Sequence, residues 1–405
     1  MPHSQRIIGG MLAAILLMAF VLLWLDSRAV IVGVDAPLTD YHLFDPTEMD
    51  ALRLFNQENP RSRIAAVPGY YDFNIDSGRA AIEDMITAGA RFIVTTQPSS
   101  TMVGSIDRFT DGEVLLINTS STSLLMSDKD DYILRIMPDL AIEQNFIASV
   151  IRDMPGRRLL VVQDAGNAAY TDPAYEQFRL ALNIPSPDQA SSTVQTPSPD
   201  QASSTEQTPS PDQAASTVQT PSPDQAQSAW EITHVRMVYH DFDPTKYRDI
   251  IDQGYDALYL LGGDFQTATG TIMHYFHSRN PDARIILTPW SRSAEILKLS
   301  GGALAQTILV SHFPPRRDAP MIDDYLARFE REFDYTPQFM AIKIRQALEL
   351  LDTAFRQGHT TPTAVKNFLL QDMPHQTSLG PIHFNRYGDV QHGFYLLRDL
   401  ERELR

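Results

Sequence analysis

Two neighbouring segments of the chain, RFIVTTQPSSTM (Arg91–Met102) and VLLINTSSTSLL (Val114–Leu125), each place hydroxyl side chains directly after a short apolar run. A short apolar run bounded by polar residues is typical of a buried strand. In an open parallel sheet, ligands bind outside the carboxyl ends of the strands. Both hydroxyl clusters are therefore predicted to lie at a ligand-binding edge of a sheet.

Apolar runs and amphipathic helical patterns alternate on both sides of these segments. Predicted strands include VIVGV (30–34) and RLLVVQD (158–164), and predicted helices include STMVGSIDRFTDG (100–112) and LAIEQNFIASVIRDM (140–154). Such alternation predicts an α/β fold in which doubly wound parallel sheets carry helices on both faces.

The composition limits what such a fold can bind. The 405 residues include 50 acidic and 33 basic side chains, which give a formal net charge of −17, and they include no cysteine. Nucleic-acid binding needs clustered basic residues, so nucleic acid is not an expected partner. The lack of cysteine excludes disulfides, thiolate catalysis and cysteine zinc sites.

The N-terminal run IIGGMLAAILLMAFVLLWL (Ile7–Leu25) is uncharged and follows Arg6. A membrane-spanning helix needs about 20 apolar residues, whereas the core of a signal peptide has about 7–15. Two interpretations of residues 1–29 stay open: an uncleaved single-pass anchor, or a cleaved signal with Ser27-Arg28-Ala29 as its cleavage site. Both predict a protein on the periplasmic side of a bacterial inner membrane, and the length of the run favours the anchor.

Residues 185–228 are tandem 12-residue repeats: PSPDQASSTVQT, PSPDQASSTEQT, PSPDQAASTVQT and the truncated PSPDQAQS. Such a segment has too few large apolar residues to offset the entropy lost on ordering. We therefore predict a disordered insertion in the folded part of the chain. A glycosylated or wall-spanning spacer is the alternative interpretation.

The hydroxyl clusters also allow two interpretations. Ser99 and Ser100 begin a predicted helix, where free backbone N–H groups and the helix dipole favour a bound carboxylate. Serine is also a common helix cap with no binding role. The recurrence of hydroxyls after the adjacent strand, at Ser120, Ser121 and Thr122, favours binding.

Several segments occur in an order that resembles the type I periplasmic binding proteins, most closely the leucine/isoleucine/valine-binding branch. They are VIVGVDAPLTDYHLF (30–44), PSSTM (98–102), VLLINTSSTSLL (114–125), RLLVVQDAGNAAYTDPAYEQF (158–178) and LGPIHFNRYGDVQHGFYLL (379–397). The resemblance covers residues 30–183 and 229–405. It implies two α/β lobes joined by a hinge of three crossing segments that closes on a ligand.

Carried onto this chain, the resemblance implies a first lobe of residues 30–140 and 313–378. The second lobe would comprise residues 141–312 and 379–405. The repeats would then lie between a helix and the amino end of the next strand, on the side away from the cleft.

The resemblance also implies a set of ligand-binding residues. Ser99 and the cluster from Ser120 to Thr122 would bind the α-carboxylate and ammonium of an amino acid, with Ser100 beside them. Tyr41 in the first loop would pack on the ligand side chain, and Tyr170 would contact the ligand from the second lobe. For Tyr170, a packing role in the core is the alternative.

The chain departs from the pattern where the branched-chain binders carry an acidic residue that neutralises the ammonium. The matching stretch LTPWSRS places Trp290 there, which allows a cation–π contact instead. Asp264 lies at another predicted strand end and could supply the missing charge, or it could cap the following helix.

The rest of the sequence carries no pattern that predicts catalysis. GxGxxG, Walker, HExxH and GxSxG motifs are missing from the part after the N-terminal run. His274 and His277 have helical spacing but no third ligand nearby in sequence, so neither a metal nor another cofactor is expected.

Three functions remain open. The first is the substrate-binding component of an ABC importer, which would contact permease subunits and deliver a small amino-acid-like solute. The second is a membrane-tethered ligand sensor of the same fold. The third is an envelope-assembly activator that has lost its ligand, which the hydroxyl clusters disfavour.

Overall fold

The computed structural model describes residues 29–38, 47–184, 230–262, 267–293 and 295–404. In chain order, its strands are β1 Val30–Pro37, β2 Ile64–Tyr71, β3 Phe92–Thr95, β4 Leu115–Asn118, β5 Ile133–Arg135, β6 Arg158–Asp164, β7 Glu231–Met237, β8 Ala257–Leu261, β9 Arg284–Leu287, β10 Thr307–Ser311, β11 His375–Thr377, β12 Gly380–Ile382 and β13 Tyr395–Leu397.

The helices lie between these strands and cover the sheets. In chain order, they are α1 Thr47–Glu58, α2 Ile75–Thr87, α3 Ser99–Met102, α4 Leu140–Arg152, α5 Ala168–Ala181, α6 Pro244–Ile251, α7 Thr267–His277, α8 Glu295–Leu299, α9 Pro320–Phe333, α10 Met340–Arg356, α11 Pro362–Leu369 and α12 Leu400–Leu404.

The strands form two large sheets, one in each lobe. The first has the order β2-β1-β3-β4-β5 and is wholly parallel. The second has the order β13-β10-β9-β8-β6-β7 and is parallel except for β13, which runs antiparallel to β10. The predicted α/β class with two parallel-sheet lobes is confirmed.

Helices cover both faces of the first sheet, as its wholly buried central strands β3 and β4 require. Phe92 and Val94 of β3 share a core with Phe55 of α1, whereas Ile93 between them packs with Ile82 of α2 on the opposite face. Each of β3, β4 and β5 contributes side chains to two separate apolar layers.

Three segments cross between the lobes and together form the hinge: residues 136–139 after β5, 312–319 after β10, and 391–394 before β13. Arg135 fixes the start of the first crossing. Its Nε donates to Asp389 Oδ1 over 2.7 Å, its Nη1 donates to the carbonyl of Ser123, and its Nη2 donates to Ser127 Oγ. The ion pair with Asp389 joins the end of β5 to the segment that leads into the third crossing.

The chain stays beside the first sheet beyond residue 379, where the resemblance implies a return to the second lobe. The β11–β12 hairpin lies against α10, and Asp389 forms a bridge with Arg135 at the edge of β5. The chain therefore remains with the first sheet as far as Val390. The lobe assignment as a whole stays a prediction.

The predicted helix over residues 100–112 differs from the structure. Only α3 is α-helical, and Val103–Phe109 continue as a 3-10 helix. Gly104 disfavours a regular helix at this point. It also packs closely on α2, because a Cβ atom at Gly104 would lie 2.2 Å from Ile75 Cγ2.

Two predicted segments, Ile7–Leu25 and the repeats at 185–228, lie outside the described residues. None of the helices within the described ranges is long and apolar enough to cross a bilayer.

Replacing Arg135 with Met should lower the free energy of unfolding by up to about 3–5 kcal/mol, because the partly buried carboxylate of Asp389 would lose its buried countercharge. Denaturant unfolding of the full chain measures this change. Arg236→Met is the control, since both side chains of its pair with Asp172 are about half exposed and such a pair is worth about 0–1 kcal/mol. Equal effects of the two substitutions would contradict a structural role for Arg135.

Deleting residues 185–228 should leave the thermal midpoint of unfolding unchanged. The deletion leaves residues 182–184 and 229–230 between α5 and β7, a length within the usual range of about 2–6 residues for such loops. Thermal unfolding of the deleted and intact chains tests this, and a clear loss of stability would mean that the repeats pack on a lobe.

Candidate functional site

The two hydroxyl clusters follow neighbouring strands whose ends are in register. Thr95 at the end of β3 pairs with Asn118 at the end of β4, so the loops after them leave the sheet side by side. The backbone N–H of Thr119 donates to the carbonyl of Thr95, which holds the two loops together.

Ser99 joins the two clusters directly. Its Oγ accepts a hydrogen bond from the hydroxyl of Ser121 over 2.9 Å and one from the backbone N–H of Thr122 over 3.2 Å. The Ser99 hydroxyl therefore does not cap α3, whose N-cap is Pro98 and lacks a side-chain cap. Because α3 has only four residues, its helix dipole is small and contributes little to binding a carboxylate.

The remaining hydroxyl residues surround this contact. Ser120 and Ser121 are buried, and their backbone N–H groups both donate to Asn118 Oδ1. Ser100 is half-buried next to Ser99. Thr122 is buried, and its carbonyl accepts from the N–H of Leu140, the first residue of α4 in the second lobe. The cluster thus extends to the first crossing of the hinge.

A buried carboxylate positions the loop that carries Ser99. Asp35 at the end of β1 accepts from Thr95 Oγ1 over 2.7 Å, from the Thr96 N–H over 2.7 Å and from Gln97 Nε2 over 3.0 Å. Burial raises the pKa of Asp35 to about 6, although these hydrogen bonds lower it. Such a network fixes the backbone directly before Pro98.

In the second lobe, Tyr170 and Trp290 meet edge to face with ring centroids 6.1 Å apart. Both are mostly buried, and each follows the carboxyl end of a strand, β6 for Tyr170 and β9 for Trp290. The Tyr170 hydroxyl donates to Glu143 Oε1, and Gln144 Nε2 also donates to that oxygen. Tyr170 therefore packs in the core through its ring, as one of the two interpretations predicts, and also makes a polar contact through its hydroxyl.

Glu143 is a fully buried carboxyl whose other oxygen, Oε2, has no hydrogen-bond partner among the described residues. Burial raises the pKa of Glu143 to about 7. The indole of Trp290 is close enough to lower that pKa in part, although its Nε1 makes no hydrogen bond of standard geometry with a described residue.

Two further buried polar side chains lie at the hinge, one within its second segment and one in the helix that packs against it. The ring of His312, after β10, packs against Trp290, Phe339 and Phe394 at centroid distances of 5.6, 5.8 and 5.1 Å. Lys343, in the first turn of α10, donates from Nζ to the carbonyl of Ile136 over 3.0 Å. Burial lowers the pKa of His312 well below its usual range and lowers that of Lys343 to about 7.

The structure therefore brings the predicted residues into two groups. Ser99, Ser100, Ser120, Ser121 and Thr122 form one group in the first lobe. Tyr170 and Trp290 form the other in the second lobe, where α5 begins near Tyr170 and lies close to α3 of the first lobe. Tyr41 and Asp264 lie outside the described residues.

Sequence reasoning missed Glu143, His312 and Lys343. A signal existed for Glu143 and Lys343, because each occupies the apolar face of its helix. Glu143 lies three residues after Leu140 and four before Ile147, and Lys343 lies four residues before Ala347. Charged residues on an apolar face are rarely buried without a partner, so their position marks them for attention.

No protein-family model and no curated protein matches this chain. Among solved structures, it is similar to the leucine-binding protein of Thermotoga maritima at 12% identity and a TM-score of 0.66, covering 89% of this chain and 93% of that one. It is also similar to the branched-chain amino acid transporter substrate-binding protein of Streptococcus pneumoniae in complex with isoleucine, at 12% identity and a TM-score of 0.68, covering 92% and 97%.

A third similar structure is the solute-binding protein of an ABC transporter from Rhodopseudomonas palustris, in complex with 3,4-dihydroxybenzoic acid. It shares 14% identity with a TM-score of 0.66, covering 91% of this chain and 93% of that one. All three neighbours are binding proteins by description. The two-lobed architecture, the paired parallel sheets and these similarities identify the fold of this chain as that of the type I periplasmic binding proteins.

Proposed function

We propose that the chain binds a small amino-acid-like solute by closure of its two lobes outside the cytoplasm, as the substrate-binding component of an ABC importer. The observation that carries the proposal is the contact of Ser99 with Ser121 and Thr122 at the ends of β3 and β4. Ser99 accepts two hydrogen bonds there, which leaves its own proton for an acceptor such as a carboxylate.

The arrangement of the two groups supports the same function. Hydroxyls at one sheet edge and aromatic rings at the other suit a ligand that has a polar end and an apolar body. Within the proposed site, the hydroxyl group binds the carboxylate, and Tyr170 and Trp290 form a wall against the rest of the solute. Tyr41 and Asp264 remain candidate ligand contacts from the sequence. The role is one of binding, with no reaction at the site.

The three neighbours support a binding role through their fold. Two of them are described as binding leucine or isoleucine, and the third binds an aromatic acid. Since both kinds of ligand carry a carboxylate, a screen for this chain should include amino acids, their amides and aromatic acids.

A membrane-tethered sensor is the second candidate, because the apolar run Ile7–Leu25 is long enough for an anchor. The genes adjacent to this one discriminate the two candidates. Permease and ATPase genes support import, whereas a signalling partner supports sensing.

Substituting Ser99 by Ala should weaken binding of the solute that the screen identifies by about ten- to hundredfold. The substitution removes a hydrogen bond to a charged group, which is worth about 1.5–3 kcal/mol. Isothermal titration of the full chain measures the affinity. Ser105→Ala is the matched control, since Ser105 is a buried serine of the same lobe whose hydroxyl lacks a described partner. Unchanged affinity in Ser99→Ala would contradict the proposal that the hydroxyls around Ser99 bind the carboxylate of the solute.

A reporter enzyme fused after Arg405 should be active only outside the cytoplasm, because both interpretations of Ile7–Leu25 export the rest of the chain. Carbonate washing of membranes then separates the two interpretations. Retention in the membrane indicates an anchor, and release of a chain that begins near Val30 indicates a cleaved signal. Cytoplasmic activity would contradict export.

A further inference from the structure

Lys343 is a buried lysine at the junction of the hinge segments. Its side chain is 1% exposed. Its Nζ bonds to Ile136 of the first crossing and lies 4.8 Å from the ring centroid of Phe313 in the second. None of the ion pairs within the described part of the chain involves Lys343. A buried ammonium without a carboxylate is costly, and lysine is seldom fully buried unless it is paired.

His312 provides an independent observation at the same place. Its ring is 4% exposed, and neither Nδ1 nor Nε2 has a hydrogen-bond partner among the described residues. Buried polar atoms in folded proteins are nearly always paired, and a neutral imidazole offers one donor and one acceptor. The described residues therefore supply no hydrogen-bond partner for His312, and a bound solute could supply one.

The charged groups around His312 are basic. After burial, Lys343, His392 and Arg292 lower the pKa of His312 further. Burial lowers the pKa of His392 itself to about 4, so the positive charge at neutral pH comes from Lys343 and Arg292. These groups come from α10, the third crossing and the loop after β9, and they gather in a chain whose formal net charge is −17. A local excess of desolvated positive charge favours an anion at this position.

Lys343 and His312 are connected by direct contacts to the proposed solute site. The ring of His312 contacts Trp290, and Ile136, which accepts from Lys343, donates its own N–H to the carbonyl of Asn118. Asn118 in turn holds the N–H groups of Ser120 and Ser121. Lys343 and His312 are therefore connected by contacts to both residue groups of the proposed site.

We propose that Lys343 and His312 form an anion subsite of the cleft, which binds a second carboxylate of the solute. This inference rests on the proposed function, because it assigns a charge to the same solute. The hydroxyls near Ser99 take one carboxylate, and the ammonium of Lys343 takes the other, with His312 as an additional donor. The solute class is then acidic amino acids or dicarboxylates.

The test compares acids with their uncharged amides: glutamate with glutamine, aspartate with asparagine, and glutarate with glutaramate. Affinities for the full chain are measured by titration, with thermal unfolding as a second readout. The acid of each pair should bind about ten- to hundredfold more tightly than the amide, as expected for a charge-assisted hydrogen bond.

Lys343→Met should remove this preference and leave the amides bound as before. Lys366→Met is the matched control, since Lys366 is also largely buried but is paired with Asp130. His312→Phe, which preserves the ring packing, should reduce the preference and keeps the test conclusive if Lys343→Met fails to fold.

The affinity for the acids should also depend on pH. An anion stabilises the protonated ammonium, whose pKa in the unbound protein is about 7. Affinity should therefore be nearly constant below pH 7 as far as Lys343 is concerned, and should fall by up to about tenfold per pH unit above it. The same profile in Lys343→Met would contradict the assignment.

The outcomes separate this inference from the proposed function. Binding of amides as tight as that of acids, or stabilisation by chloride equal to that by dicarboxylates, overturns the anion subsite and leaves solute binding intact. Failure of every amino acid, amide and acid to bind the wild-type chain overturns both.

Discussion

The ion pair of Arg135 with Asp389 constrains the whole molecule, because it fixes where the chain leaves the first lobe and where it later turns back to the second. Arg135 ends β5, and the next residue, Ile136, starts the first crossing and accepts a hydrogen bond from Lys343. The crossings are therefore tied to the edge of one sheet and to the first turn of one helix. With these contacts in place, the ends of the strands in the two lobes come to lie on either side of the hinge.

The positions of the polar residues follow from that arrangement. At the carboxyl end of a parallel strand the backbone leaves the sheet, and its polar groups need partners that neighbouring strands no longer supply. Asp35 and Asn118 meet this need with side-chain oxygens that accept backbone N–H groups. The loops held in this way carry Ser99 and Thr122, so structural hydrogen bonding and the candidate binding residues belong to one network.

Sequence patterns predict most of this framework because most strands of the two large sheets are short, mainly apolar runs and the hydroxyl clusters follow two of them. The proximity of Ser99 to Ser121 follows from the adjacency of β3 and β4. Patterns predict less well where tertiary contacts override local preference. The helix expected at 100–112 is broken where Gly104 packs on Ile75. The chain stays beside the first sheet as far as Val390, because Asp389 pairs with Arg135. Asp389, which pairs with Arg135, and Ile136, which accepts from Lys343, are 254 and 207 residues away from these side chains in sequence.

The buried charges explain why a cleft of this kind would close on a solute and resist closing without one. Glu143 and Lys343 both have pKa values near 7 because burial disfavours their ionised forms. In the structure α3 lies beside α5, and under the proposed function closure of the lobes would remove water from the region between the two sheet edges. In the proposed site, closure without a solute would therefore leave charged groups desolvated and unpaired, and a solute with opposite charges would supply their partners. Since a ligand shifts a conformational equilibrium only by its difference in affinity for the two states, such groups make closure depend on the charge of the solute.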